Sequence, residues 1–364
     1  MIKIVAVGDI MPGGVLSGVN SMYMSDSIME ILQLGDIRVG TLETAIGNDP
    51  TFNEEKMIRA KDVIHTLDAD LIKLKHLGVD LVSLANNHFF DLGVNGATHA
   101  IDLLDSMGIK HVGAGRNLAE ASRPEVMDVN NMRIAFLAFC ECDEDRIGWC
   151  PIATDDAAGV NPLQLDHVIT EIVECKGKFD YVVVIPHWGK EGQIAPTDHQ
   201  YKIAQKMVDA GADLILGSHT HCVQPILQTK GAAVVFSMGN FLFPDRLVAP
   251  PRSTYYPKEP IDWNSLPVVD RYCFVEAPTL KKWRTKARYG LLAEACVEKG
   301  KTMVSGHIVH LTDDNRLELY EGRYPFASQL KLCGLALNSR FYPRIYLLQE
   351  YMNRIKRMVR KWIK

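Results

Sequence analysis

Two histidines two residues apart, His219 and His221, follow the apolar run Leu214-Ile215-Leu216 and the turn residue Gly217. In an extended segment alternate side chains share a face, so the pair points one way. Imidazoles aimed together from the end of a strand can grip a divalent transition ion. By itself the pair reads equally well as a turn with two solvated histidines. Four other apolar runs shift the balance, because each also ends in a residue able to bind metal or move a proton. These are Asp9 after 2–8, Glu43 after 37–42, Asn87 and His88 after 79–84, and His187 after 181–185. Carboxylate, amide oxygen and imidazole together suit Mn²⁺, Fe or Zn²⁺, and the set is large enough for two ions sharing Glu43. Each residue has a plain structural alternative: Asp9 as a turn cap, Asn87 as a left-handed turn residue, His187 as a satisfied interior histidine. Their joint occurrence at five successive strand ends is hard to obtain from structure alone.

The elements that must position these residues alternate along the chain. Strands are expected over 2–8, 37–42, 79–84, 109–112, 181–185 and the run before His219. Helices are expected over 23–34, 62–77, 94–107, 162–176 and 198–210. Asn130-Asn131 between 124–129 and 132–139 predicts a hairpin, and 223–228 with 232–238 a second. Strands separated by helices predict a mixed α/β sheet whose carboxyl-terminal strand ends line the site. Residues 140–161 read as a long polar loop. Pro244, Pro250, Pro251, Pro257, Pro260 and Pro267 make 244–268 a loop, a candidate active-site flap. Strand-like segments at 269–276, 290–298 and 302–312 complete a sheet. One domain is expected over 1–312 and an extension over 313–364.

That extension ends differently from the rest. From Arg344 on, Tyr346, Leu348, Met352, Ile355, Val359, Trp362 and Ile363 recur mostly at spacings of three or four. Arg354, Lys356, Arg357, Arg360, Lys361 and Lys364 carry no acidic neighbour among them. This is a basic amphipathic helix, a candidate for docking on an anionic membrane surface. The plainer reading is a terminal helix packed on its own domain or on a partner.

Bulk composition excludes several classes. The chain has 364 residues, 47% apolar, with 40 basic and 44 acidic side chains and a net charge of −4. No basic excess points to nucleic acid, and no apolar run reaches the roughly 18 residues of a spanning helix. The start is strand-like rather than a signal peptide, so cytoplasmic placement and reduced thiols are expected for the eight cysteines. Cys140, Cys142 and Cys150 fall in a C-x-C-x7-C spacing that matches no strong zinc pattern.

Six motifs occur in order: Gly8-Asp9-Ile10-Met11, Thr41-Leu42-Glu43, Ala85-Asn86-Asn87-His88-Phe89-Phe90-Asp91-Leu92-Gly93, His187-Trp188-Gly189-Lys190-Glu191, Gly217-Ser218-His219-Thr220-His221 and Ser237-Met238-Gly239-Asn240-Phe241. Over residues 2–244 the chain resembles the bacterial poly-γ-glutamate capsule synthesis protein family (CapA-like), a branch of the calcineurin-like metallophosphoesterases. The resemblance implies a four-layer α/β/β/α sandwich of the metallophosphoesterase type, here with a C-terminal helical extension, and a two-metal site. By motif position, Asp9 and His221 bind the first metal and Glu43 bridges. Asn87, His187 and His219 bind the second. His88 is implied as the general acid, Asp91 as the group that orients it, and Glu191 as an additional acid. Trp188, Lys190 and Asn240 are carried over as substrate-binding positions. Two departures from the wider superfamily stand out: Met11 replaces a histidine, and Glu43 replaces an aspartate. Both are usual in the capsule branch, and they strip a ligand from the first site, which is then expected to be weak, filled by Glu191 or water, or empty.

The resemblance implies a metal-dependent hydrolase acting in synthesis or export of a cell-surface polymer, with a phosphoester or a polyglutamate amide as substrate. A second reading is a non-catalytic or weakly catalytic polymer-binding subunit of a membrane-associated capsule synthesis complex. Loss of the histidine at Met11 favours it, and retention of His88 opposes it. A third is a cytosolic nucleotidase or phosphodiesterase, for which Lys190, Arg246, Arg252 and Lys258 are candidate anion contacts. The expected partners are an anionic polymer or phosphoester, capsule-synthesis membrane proteins, and the inner membrane face through the basic helix.

Overall fold

Along Met132–Cys140 the side chains of Ile134, Phe136, Ala138 and Cys140 enter one apolar core, and those of Ala135, Leu137 and Phe139 enter another. Tyr181–His187 divides likewise, with Tyr181, Val183 and Ile185 on one side and Val182 and Val184 on the other. This period of two marks strands buried on both faces, so the sheet they form is an inner layer of the molecule.

The computed structural model describes residues 1–20, 23–48, 52–58, 62–143, 148–229, 231–250, 253–259, 261–269 and 278–337, with Tyr342 and Tyr346. The main strands, in chain order, are β1 Ile2–Ile10, β2 Ile37–Leu42, β3 Leu81–Ser83, β4 Lys110–Val112, β5 Glu125–Val129, β6 Met132–Cys140 and β7 Tyr181–His187. They continue with β8 Leu214–Leu216, β9 Ile226–Thr229, β10 Ala232–Val235, β11 Tyr289–Glu298, β12 Lys301–Leu311 and β13 Leu317–Leu319. Sheet one has the order β13-β12-β11-β1-β2-β3-β4, and sheet two β9-β10-β8-β7-β6-β5. The runs β1 to β4 and β6-β7-β8-β10 are parallel. The remaining strands add at the edges as antiparallel hairpins, and Asn130 and Asn131 both take positive φ in the β5–β6 turn, as expected.

Helices cover the outer faces. α1 (Asp26–Gln33) and α2 (Gly93–Met107) bring Ile28, Leu32, Ala100 and Leu104 to the first core. α3 (Leu165–Lys178) and α4 (Asp198–Ala210) bring Val168, Ile172, Ile203 and Met207 to the second. Four layers result, α/β/β/α. The limits of α4 are readable in the sequence because Thr197 and Gln200 form a reciprocal capping box and Gly211 ends the helix in the left-handed region at φ 116°.

Several elements differ from expectation. The helix expected over 62–77 starts late: His65–Thr66 is extended and pairs with Ala45–Ile46, leaving a 3₁₀ turn at Asp68–Leu71 and a short helix at Ile72–His76. Hydrogen bonds from Ile64 N to Asp91 and between the Thr44 and Thr66 hydroxyls hold that stretch straight. Within 140–161, Gly159–Val160 pairs with Ala114–Gly115. The 244–268 stretch, read as a loop, contributes Arg246–Ala249, Ser253–Thr254 and Val268–Val269 to a four-stranded sheet with Thr279–Lys281. Pro250 and Pro267 directly flank these strands, where no ladder donor is lost. Sheet one runs past residue 312 to β13, and a helix follows at Ala327–Leu337. The strand expected at 269–276 lies outside the described residues beyond Val269, as does the basic helix from Arg344 apart from Tyr346. Among the described residues no helix is long and apolar enough to cross a membrane.

The two sheets are stitched along one edge of the site by residues 237–243. Asp9 N donates to Gly239 O (2.9 Å), Phe241 N to Asp9 O (2.9 Å), and Leu291 N to Met238 O (2.7 Å). Such close approach leaves no room for side chains on the flanking strands. A Cβ on Gly8 would lie 1.8 Å from Gly239 O, and one on Gly290 1.8 Å from Asn240 O. Gly290→Ala is therefore expected to cost about 3 kcal/mol, the upper end for overpacking, read by urea denaturation. A loss under about 1 kcal/mol would show that the seam yields freely.

Candidate metal centre

Sheet one supplies oxygens and sheet two supplies nitrogens. Asp9 lies near the end of β1, Glu43 follows β2, and Asn87 and His88 occupy the turn after β3. His187 closes β7, and His219 and His221 follow β8. The two histidines do not share a strand face as expected. β8 stops at Leu216, and both residues sit in a turn with φ of 86° and 51°. Non-glycine residues rarely adopt this region, and strain of this kind collects where a side chain must be aimed. The turn sends the imidazoles to different partners.

Two donor groups form around Glu43. Asp9, Glu43 and His221 make one; Glu43, His187 and His219 make the other, with all ligand atoms in each group within 4.8 Å. Asn87 Oδ1 is 2.8 Å from His187 Nε2, His219 Nδ1 is 3.1 Å from it, and Glu43 Oε1 is 3.5 Å away. On the other side His221 Nε2 is 3.7 Å from Glu43 Oε1. These spacings of roughly 3 Å are what adjoining N and O donors adopt around one ion with bonds near 2.1 Å. Two imidazoles are held from behind, His187 through Nδ1 to Ser218 Oγ (2.8 Å) and His221 through Nδ1 to Asn240 Oδ1 (2.8 Å). Such outer contacts fix which ring nitrogen faces the centre.

The fit to cations shows in what the site lacks. Both Glu43 oxygens and His219 Nε2 are buried, and no hydrogen-bond partner reaches them among the described residues. Burial and the Glu43 charge push Asp9 well above the usual carboxylate range. Burial takes Glu43 to about 7, with His221 opposing. Burial, then neighbouring imidazoles, holds His187 and His219 well below theirs. A divalent cation would reverse the two carboxylate shifts and act in the same direction as the two histidine shifts, favouring ionised acids and neutral imidazoles together.

Beside this centre sits a group that the sequence does not disclose. Lys56, from the short helix Glu54–Ile58, is buried against the turn after β3. Its ammonium pairs with Asp91 Oδ1, donates to Asn87 O (2.6 Å) and approaches His88 Nδ1 (3.2 Å). Asp91 Oδ2 contacts His88 Nδ1 at 2.7 Å and accepts from Ile64 N at 2.6 Å, so Asp91 orients His88. Burial, reinforced by Lys56, holds His88 well below the usual imidazole range.

A cavity of ≈ 630 Å³ opens beside His221, lined by Glu191 and by Lys281, Lys282, Arg284 and Lys286. The anion contacts expected from the sequence lie elsewhere. Arg246 is buried against Asp62, Lys190 and Lys258 are exposed away from the cavity wall, and Arg252 lies outside the described residues. Glu191 stands at the rim, outside both donor groups. Trp188 is no substrate contact: it is 1% exposed, stacks on Phe236 and donates Nε1–H to its carbonyl (2.8 Å) in the second core. Asn240 is spent on His221 and Ala287 O. Met11 packs with Ile64, Phe243 and Trp283, making an apolar wall beside His221.

The profile of the family described as "Bacterial capsule synthesis protein PGA_cap" matches residues 3–245. The "PGA biosynthesis protein CapA" of Bacillus subtilis (strain 168) is 32% identical over 243 residues, covering 65% of this chain and 62% of that protein. The "Capsule biosynthesis protein CapA" of Bacillus anthracis is 31% identical over 246 residues, covering 65% and 58%. Each alignment thus spans less than two thirds of the relative's own length. Among solved structures, a hypothetical protein from Thermus thermophilus superposes with a TM-score of 0.48 at 18% identity, over 84% of this chain and 98% of that one. A 5'-nucleotidase precursor from the same organism gives 0.45 at 15% identity, over 96% and 60%. The matched span of the profile contains every member of both donor groups. The chain belongs to this bacterial capsule synthesis protein family.

Proposed function

We propose that the protein is a metal-dependent hydrolase of the phosphoesterase type, serving synthesis or export of an anionic cell-surface polymer. The observation that carries this reading is Glu43, a buried carboxylate whose two oxygens no donor among the described residues reaches, shared by two mixed N/O donor groups. Asp9, Glu43 and His221 would hold one divalent ion; Glu43, Asn87, His187 and His219 the other. When bound, a pair of Mn, Fe or Zn ions supplies Lewis acidity and lowers the pKa of water. The protein does the rest. Ser218 and Asn240 aim the imidazoles, and Lys56 and Asp91 fix the His88 ring so that it can hydrogen-bond the leaving oxygen. Lys282, Arg284 and Lys286 bias the cavity toward an anionic substrate. Capsule-synthesis membrane proteins are the proposed partners, with the basic helix from Arg344 as the contact to the inner membrane face.

The test is elemental mass spectrometry of the wild type and of a His219→Ala/His221→Ala variant, followed by a phosphoester screen. Close to two metal equivalents, lost in the variant, supports the reading. No metal after reconstitution with Mn²⁺ and Zn²⁺ sinks it. His88→Gln is expected to keep its metal and to lose about 10²–10⁴ in kcat, most on substrates with poor leaving groups. A loss below threefold there removes His88 from the chemistry.

A second reading, a polymer-binding subunit without catalysis, is favoured by the apolar wall that Met11 builds on the Asp9 side. It predicts salt-sensitive binding of polyglutamate by a metal-loaded protein that hydrolyses neither phosphoesters nor the polymer.

A further inference from the structure

The C-x-C-x7-C cysteines converge. Cys140 Sγ lies 3.8 Å from Cys150 Sγ, Cys150 Sγ lies 3.6 Å from Cys142 Sγ, and the three sulfurs are all within 4.8 Å of one another. Cys140 and Cys150 are buried, Cys142 is half-buried, and none is in a disulfide. We propose that Cys140, Cys142 and Cys150 form a thiolate site for one thiophilic ion, Zn²⁺ or Cu⁺, distinct from both donor groups around Glu43.

Three arguments support this. Sulfurs bonded to one tetrahedral ion at about 2.3 Å stand about 3.8 Å apart, close to the 3.8 and 3.6 Å that separate Cys150 Sγ from those of Cys140 and Cys142. Sulfur donors select soft ions, whereas the neighbouring centre offers only nitrogen and oxygen, so the two sites sort metals by chemistry. The place also gives the ion a task. Cys140 pairs in register with His187, and Glu141 N donates to His187 O at 2.9 Å. Gly148, two residues before Cys150, is near enough to Asn87 that a Cβ built on it would lie 4.0 Å from the side-chain amide nitrogen. An ion on the three sulfurs would tie Cys150 and its neighbour Gly148 to the strand end that pairs with His187. Binding displaces the thiol protons, up to three per ion, to solvent.

The test is titration of the metal-free full-length protein with Co²⁺ under a phosphine reductant and without oxygen. A sulfur-to-cobalt charge-transfer band in the near ultraviolet that saturates at one equivalent per chain is expected. It should persist in His219→Ala/His221→Ala and vanish in Cys150→Ser, with circular dichroism confirming that both variants fold. Cobalt that binds with ligand-field bands but no charge-transfer band in the wild type overturns the proposal, since the thiols are then merely packed together. So does a Cys140–Cys150 or Cys142–Cys150 disulfide whose reduction restores no band. The wild-type spectrum decides even if a variant fails to fold, and neither outcome depends on hydrolysis.

Discussion

A Glu43→Gln variant is expected to lose both metal equivalents and to hydrolyse at least about a thousandfold more slowly, yet to melt higher than the metal-free wild type. The first two effects follow from one residue serving both donor groups. Several kcal/mol of charge stabilisation in the transition state depend on the ions, and each 1.36 kcal/mol is tenfold in rate. The third has the opposite sign because the metal-free site is electrostatically unfavourable. Glu43 is fully buried with no donor to its oxygens among the described residues, close enough to Asp9 for its charge to raise the proton affinity of that residue. A neutral amide ends that repulsion and offers N–H donors, relief of about 1–3 kcal/mol by the usual cost of an unmet buried polar group. Scanning calorimetry with chelator, then with Mn²⁺, separates the two states. The wild type should gain strongly from metal and the variant little. A metal-free variant that melts lower than the metal-free wild type would show that Glu43 is a structural acid instead.

Lys56→Met is expected to destabilise the protein by about 3–5 kcal/mol, the cost of stripping the partner from a buried charge. Lys56 and Asp91 side chains are 3% and 1% exposed, so water cannot replace the lost ammonium. Asp91 keeps Ile64 N and His88, which are too few to hold a buried carboxylate ionised. The double variant Lys56→Met/Asp91→Asn should recover more than half of the loss, since no net charge then stays buried. Urea denaturation of the four proteins measures the coupling directly. Additive losses would mean that Lys56 acts through packing alone.

The contrast between Glu43 and Lys56 explains what the sequence reveals. Each member of the donor groups stands at or near the end of an apolar run, and a run followed by Asp, Glu, Asn or His is a local pattern. The glycines and caps that bound those runs are local too, as the match of α4 to its expected limits shows. Lys56 has no such signal. It sits in a five-residue helix, and only the fold carries it across 35 residues to Asp91. The basic wall at 281–286 reaches His221 from some 60 residues away, through a small sheet whose proline-rich first strands read as a loop. For His219 and His221 the spacing points to two residues that do join the donor groups, but by the wrong geometry, because alternation applies within a strand and the chain turns left-handed just beyond it. Trp188 illustrates the reverse error: its place in a motif says nothing of which face of the sheet it occupies.

The division of donors between sheets has a consequence for metal choice. Sheet one alone offers Asp9, Glu43 and Asn87, an all-oxygen set of the kind that suits Mg²⁺ or Ca²⁺. Sheet two alone offers three imidazoles, which suit Zn, Cu or Ni. Neither half has the preference of the whole. If the centre holds metal, selectivity would be a property of the docked layers, and a nascent chain with only one sheet formed would prefer different ions from the finished protein. An ion held by both halves would act as a rivet through the sandwich, its binding energy falling on the contact between layers, where Asp9 and Glu43 are buried together.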